Sequence, residues 1–265
     1  MAEQVASVFE TLRDALRAEE PVALATVTAG TNIGAKLLVR PDGSSVGTLG
    51  DLDLDRVAAR DARGELEAGL TSIRHYGEHG EAREDAVAVF IESFAPPPRM
   101  VIFGAVDFTR ALASIGKVLG YRVVVCDARA VFATRQRFPM ADDVVNEWPN
   151  RYLEKIGDEL GPRDAVCVLT HDSKFDVPAI VGALATKVGY LGAMGSRKTN
   201  AKRTDRLREA GVTEEQLARI HAPIGLDIGA RTPEETAVSI CAEIIGNRTG
   251  RAAQALRDGE GPIHS

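Results

Sequence analysis

Apolar positions early in the chain repeat at helical spacing, then at strand length, and after three consecutive prolines in regular alternation of the two. Val5, Val8, Phe9, Leu12 and Leu16 fall on one helical stripe, which predicts an amphipathic helix ending before Pro21. The run from Val22 to Val27 reads as a strand, and Gly30 turns it. Lys36 to Val39 and Ser45 to Leu49 flank Arg40-Pro41-Asp42-Gly43. Proline presets φ and glycine supplies a positive one, so this spacing predicts a hairpin. The stretch from Asp51 to about Gly69 is polar and alanine-rich and predicts a helix, and Ala86 to Ile91 predicts another strand. Three prolines in Ala95-Pro96-Pro97-Pro98-Arg99 fit neither a central strand nor a helix interior. Residues 95–99 therefore read as a stiff linker between a domain at 1–94 and a domain at 100–265.

Beyond the linker, apolar strand runs alternate with helical stripes, the pattern of a parallel sheet covered on both faces. Arg99-Met100-Val101-Ile102-Phe103-Gly104 leads into a stripe of Phe108, Ala111, Leu112, Ile115, Val118 and Leu119, stopped by Gly120. Tyr121-Arg122-Val123-Val124-Val125-Cys126-Asp127 follows. Strand, glycine, helix, and a second strand ending in aspartate are the first βαβ unit of a nucleotide-binding fold. Ala165 to Leu169 and Val188 to Leu191 predict further strands. Thr213-Glu214-Glu215-Gln216 and Thr232-Pro233-Glu234-Glu235 are capping boxes, and the second has proline at the first helical position. Ala237, Ile240, Cys241, Ile244 and Ile245 share a face of the helix behind it, with Gly246 as its expected stop and a frayed end from about Thr249. No internal repeat is visible. The expected fold class is α/β: a small N-terminal α+β domain followed by a Rossmann-like, doubly wound parallel-sheet domain.

Four segments could carry chemistry. Gly104 at the strand-to-helix turn lets backbone N–H groups face a phosphate, and Asp127 stands where an acid accepts from ribose hydroxyls. The usual G-x-G-x-x-G is broken, because Val106 replaces the second glycine and Asp107 adds a negative charge. Thr170-His171-Asp172, with Asp176 beyond, follows the strand at 165–169. His171 and Asp172 are the candidate catalytic groups, since a histidine flanked by carboxylates can act as base or orienter. One histidine is too few for a metal site, and no metal is expected. Gly192-Ala193-Met194-Gly195-Ser196-Arg197-Lys198 gathers a hydroxyl and two cations at a strand end and suits an anion, chiefly through Ser196 and Arg197. Lys198, Lys202 and Arg203 fit a solvated basic helix face equally well. Pro223-Ile224-Gly225-Leu226-Asp227-Ile228-Gly229 fits either a buried loop or a pocket wall. The candidate cofactor-binding residues are Gly104, Asp107, Asp127, Arg129, Thr170, His171, Gly195, Ser196 and Arg197.

Composition narrows the classes. Net charge is −6 over 265 residues, which argues against a general nucleic-acid binder. The three cysteines, Cys126, Cys167 and Cys241, form no C-x-x-C pair and sit on apolar strands or a helical stripe, as buried reduced thiols do. No signal peptide is recognisable, and no apolar run approaches the ~20 residues of a membrane helix, so a cytoplasmic protein is expected.

These segments together resemble the XdhC/CoxI family. The resemblance rests on Phe103-Gly104, Cys126-Asp127-Ala128-Arg129, Thr170-His171-Asp172, Leu191 to Lys198, Pro223 to Gly229, Thr232 to Glu235 and Ala237-Val238-Ser239-Ile240. Their order and spacing match across essentially the whole chain, more specifically after the prolines. The resemblance implies an accessory factor that binds molybdenum cofactor (molybdopterin) and assists its sulfuration or insertion into a molybdenum hydroxylase of the xanthine dehydrogenase or CO dehydrogenase type. It implies a chaperone rather than an enzyme. The implied partners are the large subunit of that hydroxylase and a cysteine desulfurase. A homodimer is compatible with the apolar elements of both domains.

Two positions depart from the family pattern. Relatives often carry Gly-Ser-Ile-Ser-Gly-Gly-Cys-Leu-Glu where this chain reads Gly47-Thr48-Leu49-Gly50-Asp51-Leu52-Asp53-Leu54-Asp55, so Asp53 holds the cysteine position. A carboxylate cannot handle sulfur as a thiolate does. Relatives also read Gly-Ala-Gly-His where Val106 and Asp107 close this turn. Two other readings stay open: a non-catalytic scaffold docking on a molybdoenzyme, and an oxidoreductase using NAD(P) or FAD, which Val106 weakens.

Overall fold

The computed structural model describes residues 7–82, 84–170 and 172–258. The chain divides into two compact units between Pro96 and Pro97.

The first unit contains α1 (Val8–Arg17), β1 (Val22–Ala29), β2 (Lys36–Val39), β3 (Ser45–Thr48), α2 (Leu52–Ala68), β4 (Ser72–Tyr76) and β5 (Val87–Phe94). Its strands form one antiparallel sheet in the order β3-β2-β1-β5-β4. Side chains alternate across a strand, and β1 uses both faces. Ala23, Ala25 and Val27 pack with Leu54, Ala58, Ala62 and Leu66 of α2. Val22 and Leu24 pack with Ala15, Val8 and Leu12 of α1. The N-terminal stripe differs from its sequence reading. Val8, Leu12 and Ala15 face the sheet, while Phe9 and Leu16 lie on the exposed side, because a ten-residue helix buries one narrow stripe only. Val5 lies outside the described residues.

The second unit runs β6 (Arg99–Phe103), α3 (Asp107–Val118), β7 (Arg122–Cys126), β8 (Asp143–Val145), α4 (Pro149–Ile156), β9 (Ala165–Val168), α5 (Ser173–Leu184), β10 (Tyr190–Ala193), α6 (Arg197–Glu209), α7 (Glu214–Leu217), β11 (Ile220–His221) and α8 (Pro233–Thr249). All six strands are parallel, in the order β11-β10-β9-β6-β7-β8. This is the doubly wound arrangement that the alternation predicts. One face carries Met100, Ile102, Val123, Val125 and Cys167 against Leu112 of α3 and Ile240 and Ile244 of α8. The other carries Val101, Phe103, Val166 and Val168 against Leu153, Ile180 and Leu207. Burial on both faces makes the strands continuously apolar rather than alternating.

Two helix readings need correction. Val118 is exposed rather than part of the buried stripe of α3; it is the last helical residue, beyond the sheet contact. Helix α8 passes through Gly246, which is buried inside it, and stops at Gly250, whose φ of +65° provides the left-handed cap. Ile245 is partly exposed, while Ala237, Ile240, Cys241 and Ile244 are buried. Both capping boxes form, on α7 and α8. Among the described residues no helix is long and apolar enough to cross a membrane.

The chain leaves β6 toward β7 on one side and later returns to β9 on the other. Open α/β sheets bind ligands beyond the carboxyl ends of the strands at such a reversal.

Candidate functional site

The reversal point holds a cavity of about 370 Å³, lined by Ala105, Val106, Asp107, Phe108, Arg129, Phe132, Arg137, Leu169 and Met194. It draws on the β6–α3 turn, the loop after β7, and the tips of β9 and β10. Gly104 sets the geometry beneath it. Its φ is +111°, and a Cβ there would lie 2.8 Å from Thr170 Cγ2 and 3.0 Å from Thr170 N. Only glycine lets the β6 tip approach β9 this closely.

Asp127 is buried, and its carboxylate is fully engaged. It accepts from Ala105 N at 2.8 Å, Arg129 N at 2.9 Å, Arg129 Nε at 2.9 Å and Arg129 Nη2 at 2.7 Å. Burial alone would raise its pKa. The Arg129 guanidinium and the two N–H groups outweigh that and hold the carboxyl below the usual carboxylate range. A ribose hydroxyl would have to displace one of these donors. Asp127 instead ties the β6–α3 turn to the loop after β7 and aims Arg129. The Arg129 guanidinium lies over the Phe132 ring at 4.6 Å and toward Phe175 at 5.8 Å. Arg137 covers the other ring contacts, 5.4 Å from Phe132 and 5.3 Å from Phe138. Two guanidiniums and an exposed phenyl ring thus share one cavity wall.

The α3 turn departs from phosphate-binding practice. Val106 is the N-cap and has no side-chain oxygen to offer; Thr109 accepts from Val106 N at 3.2 Å and donates to Gly104 O. Asp107 stands in the first helical turn and lines the cavity.

The β9 side is closed upon itself. Thr170 donates its hydroxyl to Asp176, and Asp176 pairs with Arg203, both side chains 4% exposed. Arg203 also donates to Met194 O at 2.8 Å and to Asn200, which in turn donates to Gly195 O at 3.0 Å. Arg203 is therefore a buried staple joining α5, α6 and the β10 tip, not part of a solvated face. Lys198 and Lys202 are exposed. Asp172 caps α5 by accepting from Lys174 N at 3.0 Å. His171 lies outside the described residues. Ser196 caps α6, accepting from Thr199 N at 3.1 Å. Arg197 is 88% exposed and reaches Asp227 at 3.9 Å. Gly195, Ser196 and Arg197 follow Met194 but do not line the cavity.

Of the sequence candidates, Asp107 and Arg129 meet at the cavity, with Gly104, Asp127 and Thr170 supporting it. Phe132 and Arg137 went unrecognised. Their signal was the interleaving of arginine and phenylalanine in Arg129, Phe132, Arg135, Arg137 and Phe138 just after a strand-end aspartate. Asp53 sits exposed in the first turn of α2, paired with Arg56 at 3.0 Å.

A doubly wound sheet with a lined crevice at its reversal point defines a Rossmann-type ligand-binding domain. Residues 100–244 match the XdhC Rossmann domain, and residues 15–77 match the XdhC and CoxI family. The chain belongs to that family. It is 32% identical over 220 residues to the uncharacterized protein YqeB of Escherichia coli (strain K12), covering 80% of this chain and 40% of that protein. It is 35% identical over 160 residues to a probable xanthine dehydrogenase subunit of Bacillus subtilis (strain 168), covering 60% of this chain and 46% of the other. It is 28% identical over 159 residues to the molybdenum cofactor insertion chaperone PaoD of Escherichia coli (strain K12), covering 60% and 43%. The chain thus spans less than half the length of these curated relatives. A crystal structure described as a xanthine dehydrogenase from Bacillus halodurans matches at a TM-score of 0.55 and 22% identity, over 95% of this chain and 98% of that one. At that identity the likeness shows the fold.

Proposed function

We propose that this chain binds molybdenum cofactor in the cavity at the sheet reversal and delivers it to a molybdenum hydroxylase. The observation that carries this reading is the wall of Arg129, Phe132 and Arg137 facing a volume of about 370 Å³, near the lower end of typical small-ligand sites. Molybdenum cofactor joins a pterin ring system to a phosphate-bearing tail. A phenyl ring supplies a stacking face, and guanidiniums supply charge-assisted contacts to phosphate. Family membership and the insertion role of its relative PaoD support the same direction.

The reading assigns insertion rather than sulfur transfer to the chain itself. Cys126, Cys167 and Cys241 are free and buried. Burial pushes the Cys126 and Cys241 thiols up to about 12 and Cys167 well above its ordinary value. The thiolate is the nucleophile in sulfur exchange, so none of the three is set up to carry sulfur in the folded state. Sulfuration would then use a thiol of another protein, with a cysteine desulfurase as the proposed source. Arg129 and Arg137 are the proposed cofactor contacts, with Gly104, Asp127 and Thr170 shaping the site. Gly195, Ser196 and Arg197 are proposed as an outer contact beyond Met194.

Anaerobic titration of the purified chain with molybdenum cofactor, beside NAD, NADP and FAD, tests this reading. Saturable cofactor binding, weakened about tenfold or more by Arg137→Ala, is expected from loss of a charged hydrogen-bond donor. Binding of a dinucleotide alone would replace the reading with an oxidoreductase. Binding of none of them would favour a docking scaffold.

A further inference from the structure

Asp107 puts a carboxylate at the one place where a dinucleotide fold leaves the backbone bare. The first turn of a helix carries partial positive charge and attracts anions. Here Asp107 occupies that turn of α3 and lines the cavity. Among the described residues its carboxylate has no hydrogen-bond or ion-pair partner, although Arg129 and Arg137 line the same cavity. A phosphate placed against α3 would meet like charge, so the anionic part of a ligand is directed to the two arginines. Asp127 already engages Arg129, whereas Arg137 meets only the Phe132 carbonyl at 3.2 Å and two phenyl rings among the described residues. Arg137 is therefore the cation freer to take an anion.

The cavity thus offers an acceptor-only group, an exposed phenyl face, apolar contacts from Ala105, Val106, Leu169 and Met194, and guanidinium donors. A carboxylate accepts two parallel N–H bonds from an amidine-like edge. The pyrimidine ring of a pterin has such an edge, made of the 2-amino group and N3–H. Resting on the proposed pterin site, we propose that Asp107 is its specificity-determining residue. Its carboxylate takes the 2-amino/N3–H edge, the bicycle lies against Phe132, and the phosphate points to Arg137 and Arg129. The ligand would then lie reversed relative to a dinucleotide, with its base edge rather than its phosphate at the α3 turn.

The test uses two probes on the full chain: 6-hydroxymethylpterin monophosphate, and its lumazine counterpart, in which an oxo group replaces the 2-amino group. The lumazine turns a carbonyl oxygen toward the carboxylate. Wild-type protein is expected to prefer the pterin by about tenfold or more, the scale of a bidentate contact to a base edge. Asp107→Asn should bring the two probes within about twofold while lowering the thermal midpoint only slightly, since Asp107 is exposed and only its favourable place in the first turn of α3 is lost. Arg137→Ala should weaken both probes alike. Equal binding of both probes by wild-type protein, still weakened by Arg137→Ala, would overturn the role of Asp107 and leave the pterin cavity standing. Binding of neither probe, or binding indifferent to Arg137→Ala, would overturn both.

Discussion

The two halves of the carboxyl edge of the second sheet are built from the same kinds of residue and put them to opposite use. After β9 and β10, Thr170, Asp176, Asn200 and Arg203 satisfy one another, and the carboxylate and guanidinium are almost wholly buried. After β6 and β7, Asp127 and Arg129 also pair, yet Asp107 and Arg137 face the cavity with no ion-pair contact among the described residues. Charge at a strand tip is thus no sign of a binding site by itself. The informative feature is charge that the fold has not already neutralised, beside space a ligand could fill.

The sharpest way to test that contrast is to break the closed half. Arg203→Met leaves Asp176 buried with the Thr170 hydroxyl as its remaining side-chain partner, and Asp176→Leu leaves the guanidinium uncompensated. Each is expected to cost about 3–5 kcal/mol in denaturant unfolding, the usual penalty for an orphaned buried charge. The double variant should recover part of that loss, because the desolvation of both charges disappears together. A double variant that loses the full sum of the two single effects would show no coupling between the two charges, and would overturn this reading of the closed half.

Next in size is the junction between the halves. Gly104→Ala puts a Cβ 2.8 Å from Thr170 Cγ2, at a φ of +111°. It is expected to cost about 1–3 kcal/mol from backbone strain and, on the proposed cofactor reading, to weaken binding in the cavity as well, since the β6 tip must move away from β9. Full stability with full binding would show that the close approach is not needed.

Asp127 gives an effect of similar size that depends on pH. Its folded pKa is depressed, so its contribution is fully present above the ordinary aspartate value of about 3.9 and is lost as pH falls through the lower folded value. Unfolding measured between about pH 6 and pH 2 should show a steeper acid loss in wild-type protein than in Asp127→Asn. At neutral pH the variant should be about 1–3 kcal/mol less stable. Parallel pH curves would place the acid sensitivity elsewhere.

Much of this was legible in the sequence, for identifiable reasons. The alternation after the prolines and the capping boxes at Thr213 and Thr232 are local signals, and they fixed strands and helices of the second unit. Helix α5 was hidden because Pro178 lies inside it, and proline ordinarily ends a helix. Strands β8 and β11 have three and two residues, too short for any period to show. The burial of Arg203 was illegible because its partner Asp176 lies 27 positions away on another helix. Arg137 and Phe132 were missed because the loop after β7 has no periodicity, and its wall exists only once both guanidiniums fold over one ring.

The smallest expected effect concerns Arg197, and it discriminates between the two halves most directly. By sequence, Arg197 and Arg137 are alike, each a guanidinium shortly after a strand of the same sheet. By structure, Arg197 is 88% exposed, reaches only the equally exposed Asp227 at 3.9 Å, and stands outside the cavity wall. An exposed pair of this kind contributes about 0–1 kcal/mol, so Arg197→Ala should leave unfolding nearly unchanged. If Arg197 is an outer contact, its removal should weaken molybdenum cofactor binding by no more than about threefold at low salt, and by less as salt screens it. Arg137→Ala should keep most of its effect at high salt, because its contact is short-ranged and partly desolvated. Should Arg197→Ala prove the more damaging of the two, the anion site would belong at the N-terminus of α6, and the cavity beside Asp107 would have to be given another occupant.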